Sequence, residues 1–275
     1  MTAASGTLDF VIAGVQKAAT TALLAKLSRH PGLCCATPKE LHLFDDDRRD
    51  WTAALRPDLT RHFPGCAPDL LWGEATPAYV YWPGAIERLA AYNPGARIIV
   101  SLRHPAWRAL SGWKMEVARG KESLSFAAAI SGSGRARVKP VHRHFSYVER
   151  GFYAPQIARI LQHFPARNVF FLRMEDLFQD EAAVMGALFA FLGVAKAPVE
   201  GGPKYVVPVD SGHVALDARA EIAFLSALYE ADMRETARLT GLALGHWLDG
   251  SYEEGYLGAV RGVPLRTPAL GGVRS

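Results

Sequence analysis

The sequence contains few cysteines. Its 275 residues include three, Cys34, Cys35 and Cys66, and none of them stands in a CxxC motif or at the Cys/His spacing of a metal site. An odd number of cysteines without such spacing supports neither a disulfide framework nor a zinc site. We therefore expect a reducing compartment.

Targeting signals and long apolar runs are also missing. Residues 1–9 lack the basic start and the apolar run of a signal peptide, and no stretch approaches the ~18 apolar residues that a membrane span needs. The formal charge of +4 is too small for a dedicated nucleic-acid binder, but it is compatible with a pocket for an anionic ligand. These features predict a cytoplasmic protein with no membrane span and no nucleic-acid partner.

A repeated strand-then-helix pattern is present instead. Apolar runs at residues 8–13, 97–102 and 168–172 predict buried strands. Their alternation with helical patterns predicts an α/β, P-loop-like fold of three layers, with a central parallel sheet flanked by helices on both faces. Such sheets bind ligands at the carboxyl ends of their strands. We expect helices from about Thr20 to His30 and over residues 107–118, 151–163, 181–192 and 216–239.

One domain is the expectation for residues 1–261, because single α/β cores commonly reach this length. Residues 262–275 are rich in Gly and Pro without a hydrophobic period, which predicts a flexible tail. The dense basic stretch from Arg135 to Arg150 leaves two interpretations open, a solvated loop or a lid that faces an anionic ligand.

The strongest motif lies between the first strand and the first helix. It runs from Gly14 to Thr21 as GVQKAATT, with small residues that let the backbone approach an anion, a lysine, and two hydroxyl donors at the helix start. The order differs from a Walker A loop, in which the lysine directly precedes Ser/Thr. This pattern predicts a phosphate-binding loop that contains Gln16, Lys17, Ala18, Ala19, Thr20 and Thr21.

Two further segments carry candidate residues. Glu40 and His42, in PKELHLFD, have the composition of a general-base site, although a surface charge cluster fits the same residues. Arg103 follows a predicted strand and Ser111 lies about two helical turns later, so that both can reach one phosphate. The role of Arg108 between them is open between a structural salt bridge and a ligand contact.

Together, QKAATTALL, PKELHLFD and RHPAWRALS resemble the PAPS-dependent sulfotransferases of the heparan sulfate type, where PAPS is 3′-phosphoadenosine 5′-phosphosulfate. The resemblance implies that Lys17, Thr20 and Thr21 hold the 5′-phosphosulfate, with Ala19 where the family usually has Gly. It further implies that Glu40 takes the acceptor proton, with His42 as the nearest alternative base. Arg103 and Ser111 would bind the 3′-phosphate.

The resemblance also assigns residues near the acceptor and the nucleotide. Thr76, in EATPAY, would line the acceptor site, although it could instead only cap a turn. Tyr153 would be a neighbour of the nucleotide, although an aromatic residue at helical spacing is more often part of the core. PAP would be the product and no metal is implied. The acceptor would be a hydroxyl or an amine of a carbohydrate or a small molecule.

Two alternatives remain. One is a P-loop small-molecule kinase that uses ATP, which would need the Walker A order and carboxylates for Mg²⁺. The other is a nucleotide-binding module without catalysis, against which the presence of both Lys17 and Glu40 argues.

Overall fold

The computed structural model describes residues 7–51, 58–67, 69–139, 141–198 and 218–254. The predicted tail at 262–275 lies outside the described residues. The chain divides into two compact units, the first made of residues 1–102 and 158–207 and the second of residues 103–157 and 208–275. The single domain over residues 1–261 stays a prediction.

The first unit is built on a parallel sheet. Its strand order is β2-β3-β1-β4-β5, and all four neighbouring pairs are parallel. The predicted α/β fold with a central parallel sheet is therefore confirmed. The described strands are β1 (Phe10–Gly14), β2 (Leu33–Cys35), β3 (Leu71–Ala75), β4 (Arg97–Leu102) and β5 (Val169–Arg173).

The helices follow the predicted pattern where their apolar period is clear. The helix predicted over 181–192 has those bounds, because an aspartate caps its start and Gly193 ends it in a left-handed conformation. The described α-helices are α1 (Thr20–Leu27), α2 (Ala85–Tyr92), α3 (Pro105–Ala118), α4 (Phe126–Ile130), α5 (Gly132–Arg135), α6 (Tyr153–His163), α7 (Met174–Gln179), α8 (Glu181–Leu192) and α9 (Arg219–Thr240). None of the helices within the described ranges has the length and apolar character to cross a membrane.

The core of the first unit lies against β1. Phe10 and Ile12 point to one face, where they pack against residues of α1 and α8. Val11 and Ala13 point to the other face and are also fully buried, so both faces of β1 are covered. On the neighbouring strand, a Cβ at Gly73 would lie 2.0 Å from the ring of Phe10, so only glycine fits there.

In the second unit, α3 packs on α9. Tyr229 of α9 is fully buried and donates a hydrogen bond from its hydroxyl to the Val148 carbonyl at 2.7 Å. Asp232, one turn further along α9, accepts a hydrogen bond from the amide of Tyr153 at 2.7 Å. A carboxylate at the first turn of α6 satisfies amides that have no partner within the helix. The side chains of α9 thus fix where α6 starts.

Two cysteines are paired, which corrects the expectation from the sequence. Cys34 on β2 forms a disulfide with Cys66, and their Cα atoms are 6.0 Å apart. Cys35 is free, and burial raises the pKa of its thiol to about 12. The sequence argument failed because the parity of the cysteine count does not say which two cysteines the fold brings together.

Two arginines of the basic stretch form ion pairs with carboxylates of the second unit. The guanidinium of Arg137 binds the carboxylate of Glu122 at 2.9 Å and lies 4.4 Å from the ring centroid of Phe145. Arg135 binds Glu149 at 2.8 Å. Neither interpretation of this stretch anticipated arginines that are already paired with carboxylates.

Candidate functional site

The candidate residues of the first unit follow three neighbouring strands. Residues 15–19 follow β1, residues 36–45 follow β2, and Thr76 directly follows β3. Because the strands are parallel, their carboxyl ends lie at the same edge of the sheet. The sequence analysis predicted Glu40, His42 and Thr76 as site residues, but it did not predict the strands β2 and β3 that carry them to this edge.

The loop after β1 has the backbone of an anion-binding turn. Lys17 and Ala19 adopt left-handed conformations, with φ of 75° and 57°. The first backbone hydrogen bond of α1 runs from the Leu23 amide to the Ala19 carbonyl at 3.0 Å, so the amides of residues 20–22 have no acceptor within the helix and point out of its end. Thr20 is buried and Thr21 is exposed at this end. Gln16 is half-buried, and Ala18 is fully buried.

Ala19 has a left-handed backbone conformation that glycine would adopt more easily. A left-handed φ is strained for a residue with a Cβ and free of strain for glycine. The loop nevertheless keeps this path, since the amide of Val15 donates to the Ser101 carbonyl at 2.8 Å and fixes its start. At the C-terminal end of α1, the ammonium of Lys26 binds Glu181 of α8 at 2.7 Å.

Glu40, His42 and Asp45 form a chain of side chains after β2. Nε2 of His42 lies 3.4 Å from Oε2 of Glu40, and Nδ1 of His42 lies 2.8 Å from Oδ2 of Asp45. The ammonium of Lys39 is 2.6 Å from the other Glu40 oxygen. Asp45 is fully buried, while His42 is half-exposed. The imidazole is thus held between two carboxylates, one buried and one near the surface.

The charges of this cluster follow from these contacts. The hydrogen bond with Asp45, followed by that with Glu40, raises the pKa of His42 to about 9. Burial pushes the pKa of Glu40 up, but the hydrogen bond from His42 and the charge of Lys39 outweigh it and lower the pKa to about 2. Near neutral pH, Glu40 is therefore ionised and His42 is protonated.

Glu74 lies below this cluster, as the fourth residue of β3. Its carboxylate is fully buried and accepts a hydrogen bond from the Thr76 hydroxyl at 2.8 Å. The Thr76 oxygen accepts from the amide of His42 at 3.4 Å, and the Tyr79 hydroxyl accepts from the amide of Leu43 at 3.0 Å. Thr76, predicted to line the acceptor site, is itself fully buried and bonded on both sides.

Three residues of this cluster were missed in the sequence analysis, namely Asp45, Glu74 and Tyr79. Glu74 carried a signal, because it is a carboxylate within the otherwise uncharged strand LWGEA. Asp45 stands three residues after His42, which is uninformative until the local turn is known.

Backbone strain is concentrated in the predicted site. Among the described residues other than glycine, Lys17, Ala19, Glu40 and His42 have positive φ, of 75°, 57°, 65° and 49°. Each such residue costs roughly 1–3 kcal/mol unless its surroundings fix it. Three of the four carry the side chains that the sequence assigns to catalysis.

The candidate residues of the second unit lie on α3 and α6 or next to them. Arg103 directly follows β4 in the chain, and its guanidinium binds both carboxylate oxygens of Glu254, with Nε–Oε1 at 2.7 Å. The hydroxyl of Tyr153, at the start of α6, donates to the Arg103 carbonyl at 2.8 Å. Ser111 is half-buried on α3. Tyr153 itself is buried, as expected for a core aromatic.

Arg108 has a structural environment. It is 1% exposed, and its guanidinium donates to the carbonyl of Tyr147. This contact is a hydrogen bond to a backbone carbonyl and not the salt bridge that one of the two interpretations expected. Within the part of the chain that the structure describes, no group of three or more His, Cys, Asp and Glu residues could hold a metal ion.

Comparison with known proteins adds to this geometry. Residues 51–198 match the model of a family described as the sulfotransferase family. The matched range contains Thr76, Arg103, Ser111 and Tyr153, and begins after the segment of Glu40.

Two human proteins, heparan sulfate glucosamine 3-O-sulfotransferase 6 and heparan sulfate glucosamine 3-O-sulfotransferase 3B1, are 31% and 29% identical to the chain over 186 residues. The aligned region is 68% of this chain in both cases, and 52% and 46% of the two relatives. The chain therefore spans about half the length of these relatives. A crystal structure of a sulfotransferase from Alicyclobacillus acidocaldarius has a TM-score of 0.73 at 27% identity, over 88% of this chain and 99% of that one.

Proposed function

Since the chain belongs to the sulfotransferase family, we propose that it moves a sulfonate group from PAPS to a hydroxyl or an amine of a carbohydrate or small-molecule acceptor. The observation that carries the proposal is Glu40, an ionised carboxylate held between Lys39 and a protonated His42. A carboxylate in this state can accept a proton from an acceptor.

The loop after β1 is proposed to bind the 5′-phosphosulfate end of PAPS, which supplies the sulfonate to be transferred. Left-handed residues next to a helix start turn successive amides toward one point, which suits a group with several anionic oxygens. Lys17 would neutralise the charge that develops on the leaving phosphate oxygen. Gln16, Ala18, Ala19, Thr20 and Thr21 would complete the loop.

Arg103 and Ser111 are proposed to bind the 3′-phosphate. The guanidinium of Arg103 already binds a carboxylate through two nitrogens, and the same fork suits a phosphate. A nucleotide that binds here would take the place of Glu254 on Arg103. Tyr153 would act on this site through its hydrogen bond to the Arg103 carbonyl.

Glu40 rather than His42 is proposed as the base. A protonated imidazole has no lone pair for the acceptor proton, and Asp45 and Glu40 both stabilise that protonated form. His42 would instead hold Glu40 in place, and Asp45 would orient His42. Thr76 is proposed to support this segment from below.

In the reaction, a bond forms between the acceptor oxygen and sulfur while the bond between sulfur and the bridging phosphate oxygen breaks. The bonding electrons leave with PAP and the acceptor proton goes to Glu40. Such an in-line displacement needs its atoms aligned more than it needs covalent help from the protein.

The names of similar proteins indicate which acceptors to test first. Two similar human proteins are named for heparan sulfate glucosamine, which makes glucosamine-containing saccharides the first compounds to test. Acceptor-binding loops differ most between enzymes on a common fold, so phenols, alcohols and amines belong in the same panel.

Two measurements test the proposed function. PAP should raise the melting temperature by mass action, whereas ATP with Mg²⁺ should not. Incubation with PAPS and the acceptor panel should add one sulfonate to a panel compound, as read by mass spectrometry. A shift with ATP and Mg²⁺ alone, or release of PAP without any sulfonated compound, would contradict the proposal.

A further inference from the structure

Two consecutive backbone amides of segment 41–43, which follows Glu40, donate to hydroxyl groups that lie beside one buried carboxylate. That carboxylate is Glu74, and the backbone of Leu41 and the hydroxyls of Thr76 and Tyr79 act to lower its pKa. The amide of His42 reaches this carboxylate through the Thr76 hydroxyl, and the amide of Leu43 donates to Tyr79, whose hydroxyl also faces Glu74. We propose that Glu74 is a positioning residue, which holds segment 41–43 and thereby sets the geometry of Glu40 and His42. This inference rests on the proposed role of Glu40.

The segment needs such a support. Glu40 and His42 both have positive φ, a conformation that residues with a Cβ adopt only when their surroundings fix it. The amides that Thr76 and Tyr79 bind belong to His42 itself and to Leu43. Fixing these amides fixes the backbone on which both strained residues stand.

The hydroxyl of Thr76 has one hydrogen, and that hydrogen is donated to Glu74. Its lone pairs are therefore directed to the His42 amide. A carboxylate accepts only, so it imposes this direction on any hydroxyl beside it. A carboxamide can donate as well, and it would allow the hydroxyl to turn away from the segment.

The position of Glu74 is set by its strand, β3, and not by the loop that contains Glu40 and His42. It lies opposite Val11 of the neighbouring β1 and is fully buried. Burial of a carboxylate is unfavourable, and a residue kept only for packing would be apolar. A buried carboxylate on a rigid strand suits a positioning role, because its oxygens cannot follow the loop if the loop moves.

The charged groups around Glu74 are few. Among the residues that the structure describes, the titratable groups that act on it are Tyr79 and, from segment 41–43, the imidazolium of His42. β1 is made of FVIAG and brings no titratable group, and Lys26 on α1 is bound to Glu181. Burial raises the pKa of Glu74 from near 4.5 to about 7, and the hydrogen bonds from Tyr79 and Thr76 only partly oppose it.

The experiment compares Glu74→Gln, Thr76→Val and the double variant. Turnover is PAP release from PAPS in the presence of the pooled acceptor panel, and PAP affinity is measured by calorimetry. We expect kcat to fall roughly 10- to 100-fold in both single variants, since small misplacement of a catalytic group has effects of this order. PAP affinity should change less than about threefold, because the nucleotide residues are elsewhere in the chain.

The double variant shows whether Glu74→Gln and Thr76→Val affect kcat through the same interaction or independently. If Glu74 acts through Thr76, the double variant should lose little more than the worse single variant. Thr76→Ser keeps the hydroxyl and should recover at least about tenfold in kcat over Thr76→Val. Losses that multiply in the double variant, or a fall in PAP affinity equal to the fall in kcat, would overturn the inference.

The dependence on pH gives a second readout. Because the pKa of Glu74 is higher in the folded state, the free energy of unfolding decreases as the pH rises from about 4.5 to about 7. Glu74→Gln lacks this carboxyl group, so its melting temperature at pH 8 should be no lower than that of the parent. The turnover of the parent should fall as the pH falls through about 7. This acidic limb of the pH profile should be absent in Glu74→Gln. A variant that is simply destabilised at pH 8 and keeps the limb would contradict the inference.

The same assay with Glu40→Gln distinguishes the proposed role of Glu40 from the positioning role of Glu74. If Glu40→Gln turns over at the parent's rate, the proposed function of the segment fails. If Glu40→Gln is slow and Glu74→Gln is not, the proposed function stands and the inference about Glu74 is wrong.

Discussion

Arg103 and Glu254 form a buried ion pair in which both carboxylate oxygens contact the guanidinium. Their side chains are 10% and 1% exposed. A pair of this kind is stable only while both members are present, because the remaining charge would otherwise stay buried without compensation. If Arg103 binds the 3′-phosphate of PAPS, the phosphate must take the place of the Glu254 carboxylate at the guanidinium.

Glu254→Gln should therefore bind PAP more tightly. The glutamine keeps the size of the side chain but no longer competes as an anion, and we expect the Kd to fall about tenfold, or ~1.4 kcal/mol. Calorimetry with PAP measures this change. Adenosine 5′-phosphosulfate, which lacks the 3′-phosphate, is the control and should bind both forms equally. Weaker PAP binding in Glu254→Gln would mean that Glu254 orients Arg103 for the nucleotide.

Arg103→Ala and Ser111→Ala should weaken the binding of PAP much more than that of adenosine 5′-phosphosulfate. A hydrogen bond to a charged group typically contributes about 1.5–3 kcal/mol, so a loss of roughly 10- to 100-fold is expected for PAP. Competition titrations with the two nucleotides give the ratio. Equal losses for both would place the 3′-phosphate elsewhere.

Lys17→Ala should abolish transfer and leave the fold intact. Lys17 lies in the loop before α1 and not in the apolar core, so circular dichroism should not change. Its charge would act mainly in the transition state, and turnover should fall by more than about tenfold. Lys196→Ala, which removes an exposed lysine of the same unit, is the matched control. Turnover of Lys17→Ala within tenfold of the parent would contradict the role.

Glu40→Gln should separate binding from chemistry. PAP affinity should barely change while turnover falls by roughly 10²–10⁴, the usual contribution of general-base catalysis.

In His42→Ala, Glu40 loses the hydrogen bond that lowers its pKa, so the pH at which the base becomes protonated should rise. A pH profile of turnover checks this. If His42→Ala is inactive and Glu40→Gln is not, the base is His42.

Cys34→Ser should destabilise the first unit. A disulfide that closes a loop of 32 residues stabilises the folded state by ~3–4 kcal/mol in the chain-entropy model. Chemical denaturation with and without reductant should show this loss, and the variant should no longer respond to reductant. Cys35→Ser removes the free thiol next to it and serves as the control. An equal response of both variants would argue that Cys34 and Cys66 are not paired in solution.

The general architecture could be predicted from the sequence for a physical reason, and the family was predicted from the resemblance of its motifs. Buried parallel strands are continuous apolar runs, and the bounds of β4 are those predicted. Helices with a clear stop, such as α8 before Gly193, were equally accessible. The predicted resemblance to sulfotransferases is confirmed by the family match and by the solved structure.

Other features depend on contacts that no local pattern encodes. β2 has three residues, too few to show a period, and its disulfide partner lies 32 residues away. The relation of Glu74 to His42 needs β3 to follow β2 in the sheet. Arg103 and Glu254 are separated by 151 positions, so their pairing was inaccessible to reasoning from motifs.

The left-handed conformation of Lys17, Ala19, Glu40 and His42 has a consequence for how this protein tolerates mutation. At three of these positions the backbone favours glycine while the proposed chemistry requires the side chain, so the two demands oppose each other. At position 19 no side-chain chemistry is asked for, and glycine or asparagine satisfies the backbone at least as well as alanine. In a library that randomises all four positions under selection for activity, diversity should therefore collect at position 19.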